Sequence, residues 1–264
     1  MSDRRYEMLR EMGLTPIWRL RAPVAATEVV AEPAVGKPAA PVERISGPAP
    51  VSARVVAPPT SSGNGDERRV QILNMDWAAL KACVSACTAC KLHEKRNKTA
   101  FGVGDENADW LFIGEGPGAE EDAKGEPFVG QAGRLLDNML AAVDLKRGAN
   151  VYIGNVVKCR PPGNRNPEPS EAAQCEPFLT RQIALIQPRL IVALGKVAAQ
   201  NLLATDASIA SMRGRVHDYR GIPLIVTYHP AYLLRTLADK AKAWTDLCFA
   251  RETMARLVAA GKQA

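Results

Sequence analysis

From Trp77 onward the chain alternates between two hydrophobic patterns. Short continuous apolar runs at residues 110–113, 151–153, 190–194 and 224–226 are bounded by polar or glycine-rich residues, the pattern of strands buried on both faces. Between them, apolar positions recur at helical spacing over 131–143, over 170–186 with Ser170 placed to cap, and over 196–203; a last helix is predicted from about 239 to 258. Strands alternating with helices predict an α/β fold in three layers, a parallel sheet covered on both faces. Ligands of such sheets bind beyond the carboxyl ends of the strands. Here those ends read Gly114-Glu115-Gly116-Pro117-Gly118, Gly154-Asn155, Gly195-Lys196 and Tyr228-His229-Pro230. A carboxylate, a carboxamide and an imidazole are therefore expected along one edge.

The N-terminal part follows neither pattern. Residues 22–75 are dense in Pro, Ala, Val and Ser as far as Asp66, a composition of semi-extended linkers that cannot bury a core. Ahead of them, within residues 1–21, Tyr6, Leu9, Met12, Leu14, Ile17 and Trp18 predict a short amphipathic helix ending at Gly13. The expected organisation is thus an amphipathic segment (1–21), a flexible linker (22–75) and a globular domain (76–264).

With 47% apolar and 23% charged residues the chain is ordinary for a globular protein. Its net charge of +6 favours an anionic partner, nucleic acid before an anionic membrane. No stretch reaches the roughly 18 uninterrupted apolar residues of a membrane span, and no apolar signal core opens the chain, so a cytosolic location is expected. In that compartment the six cysteines should be reduced, which points to metal ligation rather than disulfides. Cys87 and Cys90 form a Cys-x-x-Cys pair that Cys159 and Cys175 could complete; Cys83, four residues before Cys87, could compete, and Cys248 reads as a small buried residue. Spacing leaves zinc and an iron–sulfur cluster both open.

The run Gly114-Glu115-Gly116-Pro117-Gly118-Ala119-Glu120-Glu121-Asp122 and the run Gly125-Glu126-Pro127-Phe128-Val129-Gly130-Gln131-Ala132-Gly133-Arg134-Leu135-Leu136 resemble the first motif of family 4 uracil-DNA glycosylases. His229-Pro230-Ala231-Tyr232-Leu233-Leu234 resembles their second, and the stretch from Asn155 to Arg165 is also similar. Several motifs in the right order weigh more than a lone short pattern. The resemblance implies a uracil-glycosylase fold with a central four-stranded parallel sheet. It also implies a structural 4Fe-4S cluster on Cys87, Cys90, Cys159 and Cys175, and hydrolysis of the N-glycosidic bond of uracil in DNA to leave an abasic site. The alternative is a non-catalytic or covalent uracil-DNA-binding module stapled by metal. The presence of Glu115, Asn155 and His229 together argues against a pure binder.

That chemistry needs the nucleotide flipped into a pocket. Gly114 and Gly116 would allow close backbone approach, Phe128 would stack on the base, and the Asn155 carboxamide would meet the N3 donor and O4 acceptor of uracil together. His229 would donate to the O2 on which negative charge develops. Glu115 would offset positive charge on the sugar and orient water; family 1 enzymes place an aspartate where Gly116 stands, so no second carboxylate carries over there. Asp122 is a weaker candidate for that carboxylate and reads rather as a solvated first-turn acid, and His93 and His217 read as surface or structural. Leu233 or Leu234 would wedge into the base stack and Arg235 would hold phosphate, with Arg160, Arg165, Lys158 and Lys196 as further phosphate contacts. The chain is expected to act as a monomer in the bacterial cytosol.

Arg4-Arg5-Tyr6-Glu7-Met8-Leu9 followed by Gly13-Leu14-Thr15 and Trp18 resembles the N-terminal peptide of the psi subunit of bacterial DNA polymerase III, which docks on the chi subunit. The resemblance implies a tether to the replication machinery.

Overall fold

The computed structural model describes residues 63–261. The amphipathic segment expected at 1–21 and most of the linker lie outside the described residues. A single six-stranded sheet runs through the domain: β1 (Val103–Gly104), β2 (Trp110–Gly114), β3 (Val151–Asn155), β4 (Leu190–Leu194), β5 (His217–Tyr219) and β6 (Ile222–Thr227), in the order β1-β3-β2-β4-β6-β5. The four central strands, β3-β2-β4-β6, are parallel and correspond to the four expected apolar runs. The antiparallel edge strands β1 and β5 were not expected. At two and three residues they are too short to carry a period of their own.

Strand alternation divides the core in two. Leu111, Ile113, Ile191, Ala193, Leu224 and Val226 face one side. Trp110, Phe112, Leu190, Val192 and Ile225 face the other. The first face is closed by helices Pro169–Ile186 and Lys196–Leu203, through Leu179, Ile183 and Ala198 among others. Helices Gln131–Ala141 and Lys240–Gly261 close the second through Leu136, Leu140, Leu247 and Met254. With both faces covered, only the strand ends remain open to a ligand. Among the described residues no helix is long and apolar enough to cross a membrane.

Two local expectations change. Ser170 does not cap its helix, which begins one residue earlier at Pro169 with Glu168 as the capping residue. Proline at the first helical position has no N–H to satisfy, and the Glu168 amide donates to the Glu171 carboxylate at 2.8 Å. The linker composition also stops short of residue 75, because Gly63–Leu73 is helical. That helix packs on Pro169–Ile186: Ile72 is buried beside Phe178, the Arg68 guanidinium lies 5.1 Å over the Phe178 ring, and Arg69 pairs with Glu176.

Candidate active site

The parallel pairing of β2 and β3 continues past the strands and aligns their loops. Gly114 sits opposite Asn155, and the amides of Val156 and Val157 donate to the carbonyls of Gly114 and Glu115 at 2.9 and 3.1 Å. This register carries Asn155 and Glu115 to the same edge. Asn155 is 1% exposed, and its Oδ1 is buried with no hydrogen-bond partner among the described residues. An unmet buried acceptor costs about 1–3 kcal/mol, so its retention suits a donor brought by a ligand. A Cβ on Gly114 would stand 2.5 Å from both Asn155 Oδ1 and the Phe128 ring. Only glycine there leaves Asn155 and Phe128 on one pocket. Gly116 instead faces Val157, 2.7 Å from where its Cβ would be, and its smallness serves loop packing.

Phe128 takes a left-handed backbone, φ +56°, a conformation that bulky residues adopt only when their surroundings hold it. Glu121, absent from the expected site, supplies part of that hold. Its Oε1 accepts from the amides of Val129 and Gly130 at 3.0 and 3.1 Å, and its Oε2 from Gly118 at 3.1 Å. Gly133 admits the Phe128 carbonyl, which a Cβ would overlap. The Phe128 ring faces the His229 ring at 5.4 Å between centroids, tilted by 30°.

His229 follows β6 and caps helix Pro230–Arg235; its Nδ1 accepts the Ala231 amide proton at 3.1 Å. The proton of the neutral ring must then lie on Nε2, leaving that atom as a donor. Gly195, at φ +94°, lets the β4 loop pass: its Cβ would lie 2.8 Å from that of His229. Part of the imidazole remains accessible, yet protein encloses most of it. That burial, with Arg235 nearby, lowers its pKa to about 4. Burial raises the Glu115 carboxyl above the ordinary glutamate value.

Several expected DNA contacts are placed otherwise. Leu233 is 1% exposed and packs with Tyr228 and Ala243, because it lies on the inner face of its helix; Leu234 is 39% exposed and is the one available as a wedge. Arg235 and Lys196 are exposed. Arg160 donates to Asn164 Oδ1 at 2.8 Å. Arg165 is exposed and forks onto Glu171 at 2.9 and 2.7 Å, so part of its guanidinium is engaged at a helix end. Lys158 cannot meet phosphate at all: it is 1% exposed, and its Nζ donates to the Asn155 carbonyl at 2.8 Å and to Gln182 Oε1 at 2.6 Å. Burial lowers its pKa to about 8. Asp122 is not solvated either, since it accepts from Asn97 N and Nδ2 at 2.9 and 2.6 Å. His93 and His217 bond the carbonyls of Cys90 and Met212, a structural role as expected.

Cys87, Cys90, Cys159 and Cys175 line one cavity, together with His93, Arg96, Lys158 and Phe178. Cys83 packs beside Ile72 and Leu80 and is not among the lining residues. N–H donors point at three of the four sulfurs: Arg68 at Cys87 (3.6 Å), Arg96 at Cys159 (3.1 Å) and the Lys158 amide at Cys175 (3.3 Å). Such donors suit thiolates. Among the described residues no group of three or more His, Cys, Asp or Glu side chains is arranged to hold a metal ion.

The open edge of this α/β sheet combines an aromatic ring, an unmet carboxamide acceptor and an imidazole donor, groups that suit a flat, hydrogen-bonding ring. A family model described as the uracil DNA glycosylase superfamily matches residues 101–248, and the chain belongs to that superfamily. It is similar to the Type-4 uracil-DNA glycosylase of Archaeoglobus fulgidus, with 45% identity over 57% of this chain and 79% of the relative. It is likewise similar to that of Thermotoga maritima (45%, over 60% and 83%) and that of Pyrobaculum aerophilum (40%, over 66% and 92%).

Proposed function

We propose that the chain excises uracil from DNA by the residues gathered at this edge, and the observation that carries the reading is the unpartnered Asn155 Oδ1 beside Phe128 and His229. The chain is a DNA glycosylase of the uracil-excising kind. A uracil flipped into the pocket stacks on Phe128; its N3–H donates to Asn155 Oδ1 and its O4 accepts from Nδ2. His229 Nε2–H donates to O2, an interaction that strengthens as negative charge develops on the leaving base. Glu115 faces the positive character of the sugar and orients the attacking water. Leu234 fills the space the nucleotide leaves, and Arg235 and Lys196 hold the backbone. A single-turnover assay on a uracil-containing oligonucleotide, with alkali to reveal abasic sites, tests the activity: strand scission at the uracil position is expected, and its absence at enzyme excess would refute it.

The cavity-lining cysteines fit a 4Fe-4S cluster, which would tie the Cys87 segment to the loop carrying Cys159 and Cys175 and take no part in hydrolysis. Anaerobically purified protein is expected to hold about four irons per chain. Substitution of Cys87, Cys90, Cys159 or Cys175 should lose them, whereas Cys83→Ala and Cys248→Ala should keep them. Stoichiometric zinc without iron would overturn the assignment.

The N-terminal segment is proposed to dock on the chi subunit of DNA polymerase III, holding a monomeric enzyme of the bacterial cytosol near newly copied DNA. Deleting residues 1–21 should abolish chi binding in a calorimetric titration and leave excision on free oligonucleotide unchanged. Full-length protein that fails to bind chi at high micromolar concentration would end the tether proposal.

A further inference from the structure

Arg147 lies in the turn between helix Gln131–Ala141 and β3, well away from the motif residues in sequence, and its side chain is only 23% exposed. Its Nε donates to Asp137 at 2.9 Å, an ordinary surface pair taken alone. The rest of the guanidinium is used differently. One terminal nitrogen donates to the Pro127 carbonyl at 3.1 Å and the other to the Phe128 carbonyl at 2.8 Å. Successive carbonyls point to opposite sides of an extended chain, so one planar fork can reach both only if the residue between them leaves the extended conformation. That residue is Phe128, at φ +56°.

We infer that Arg147 is a positioning residue for the base-stacking platform: its fork reads the left-handed conformation of Phe128 and holds the ring at the distance and tilt that a flipped base requires. Glu121 secures the amides that follow Phe128, and Arg147 secures the carbonyls at and before it. The loop is thus gripped from both sides of its strained residue. Lysine cannot replace this hold, since an ammonium is a single point of donation and lacks the fixed spacing of the fork. The inference rests on the reading of Phe128 as the stacking residue.

The test is a double-mutant cycle on the full chain, with single-turnover excision of uracil and inhibition by free uracil as readouts. Arg147→Ala is expected to lower the excision rate by about 10- to 100-fold, the scale of an ångström-sized misplacement of a substrate-contacting group, and to weaken inhibition by free uracil. In a Phe128→Leu background the same substitution should change neither quantity further, because the platform it serves is gone. If Arg147→Ala lowers the melting temperature sharply, Arg147→Lys, which keeps the stem and charge, replaces it in the cycle with the same expectation. A wild-type rate in the arginine variants, or an equal fold-loss in both backgrounds, overturns the inference while leaving the role of Phe128 intact. Phe128→Leu at the wild-type rate would instead remove the stacking reading and this inference with it.

Discussion

Replacing His229 with alanine is expected to slow excision at enzyme excess by about 10² to 10³, the usual value of one positioned donor to a developing anion. Affinity for an oligonucleotide carrying a non-hydrolysable uracil nucleotide should change far less, because the bond to O2 gains most of its strength as the base departs. The Ala231 amide donates to Nδ1 and so leaves Nε2 as the protonated atom, and a pKa of about 4 keeps the ring neutral throughout the neutral range. Glu115 moves the other way, its burial holding the carboxyl above the ordinary glutamate value. As pH falls, the carboxylate therefore gains its proton before the imidazole does. The acid limb of the rate profile should accordingly belong to Glu115: Glu115→Gln should lower the rate and flatten that limb, and His229→Ala should leave its midpoint in place. A His229→Ala enzyme with the wild-type single-turnover rate would remove histidine from the chemistry.

Asn155→Asp is expected to cut uracil excision by at least about 10²-fold, since a pocket built to pair a hydrogen-bonding edge discriminates strongly once a buried partner is wrong. An ionised aspartate accepts at both oxygens and has no donor for O4. The preference for uracil over cytosine should shrink as well, because the N4 amino group of cytosine finds an acceptor where the amide donor stood. The carboxamide's setting makes this sensitive: Asn155 is 1% exposed, lies where a Cβ on Gly114 would crowd it, and its backbone carbonyl is held by the buried Lys158 ammonium. Parallel time courses on uracil- and cytosine-containing oligonucleotides measure both effects. Unchanged rate and unchanged discrimination would mean that another group reads the base.

How far these residues are legible without coordinates depends on what each needs. The apolar runs of β2, β3, β4 and β6 announce themselves because both faces of a central parallel strand are buried, so the signal is continuous. Glu115, Asn155 and His229 are legible because they follow those runs, and parallel strands put their carboxyl ends on one edge. The charged residues are where the sequence misleads. Lys158 and Asp122 look like surface charges in a basic chain, yet Lys158 is buried against Asn155 and Gln182, and Asp122 against Asn97. Whether a charged side chain faces water or a carbonyl depends on residues brought near it by other elements, and no local pattern encodes that. Leu233 and Leu234 make the same point with apolar neighbours: the turn of a six-residue helix buries the first and exposes the second.

By itself, then, the sequence determined the α/β class, the four central strands and the edge on which their polar ends meet, properties that are local or follow from periodicity and strand direction. The uracil-excising reading of that edge came from the resemblance of its motifs to those of family 4 glycosylases. Only the tertiary structure decided which way the supporting side chains point: the left-handed Phe128 gripped by Glu121 and Arg147, the proton placed on His229 Nε2, the unmet oxygen of Asn155, and the four sulfurs gathered round one cavity while Cys83 turns to the core. Each depends on contacts between segments distant along the chain, whose partners are chosen by packing and by the need of buried polar groups for hydrogen bonds.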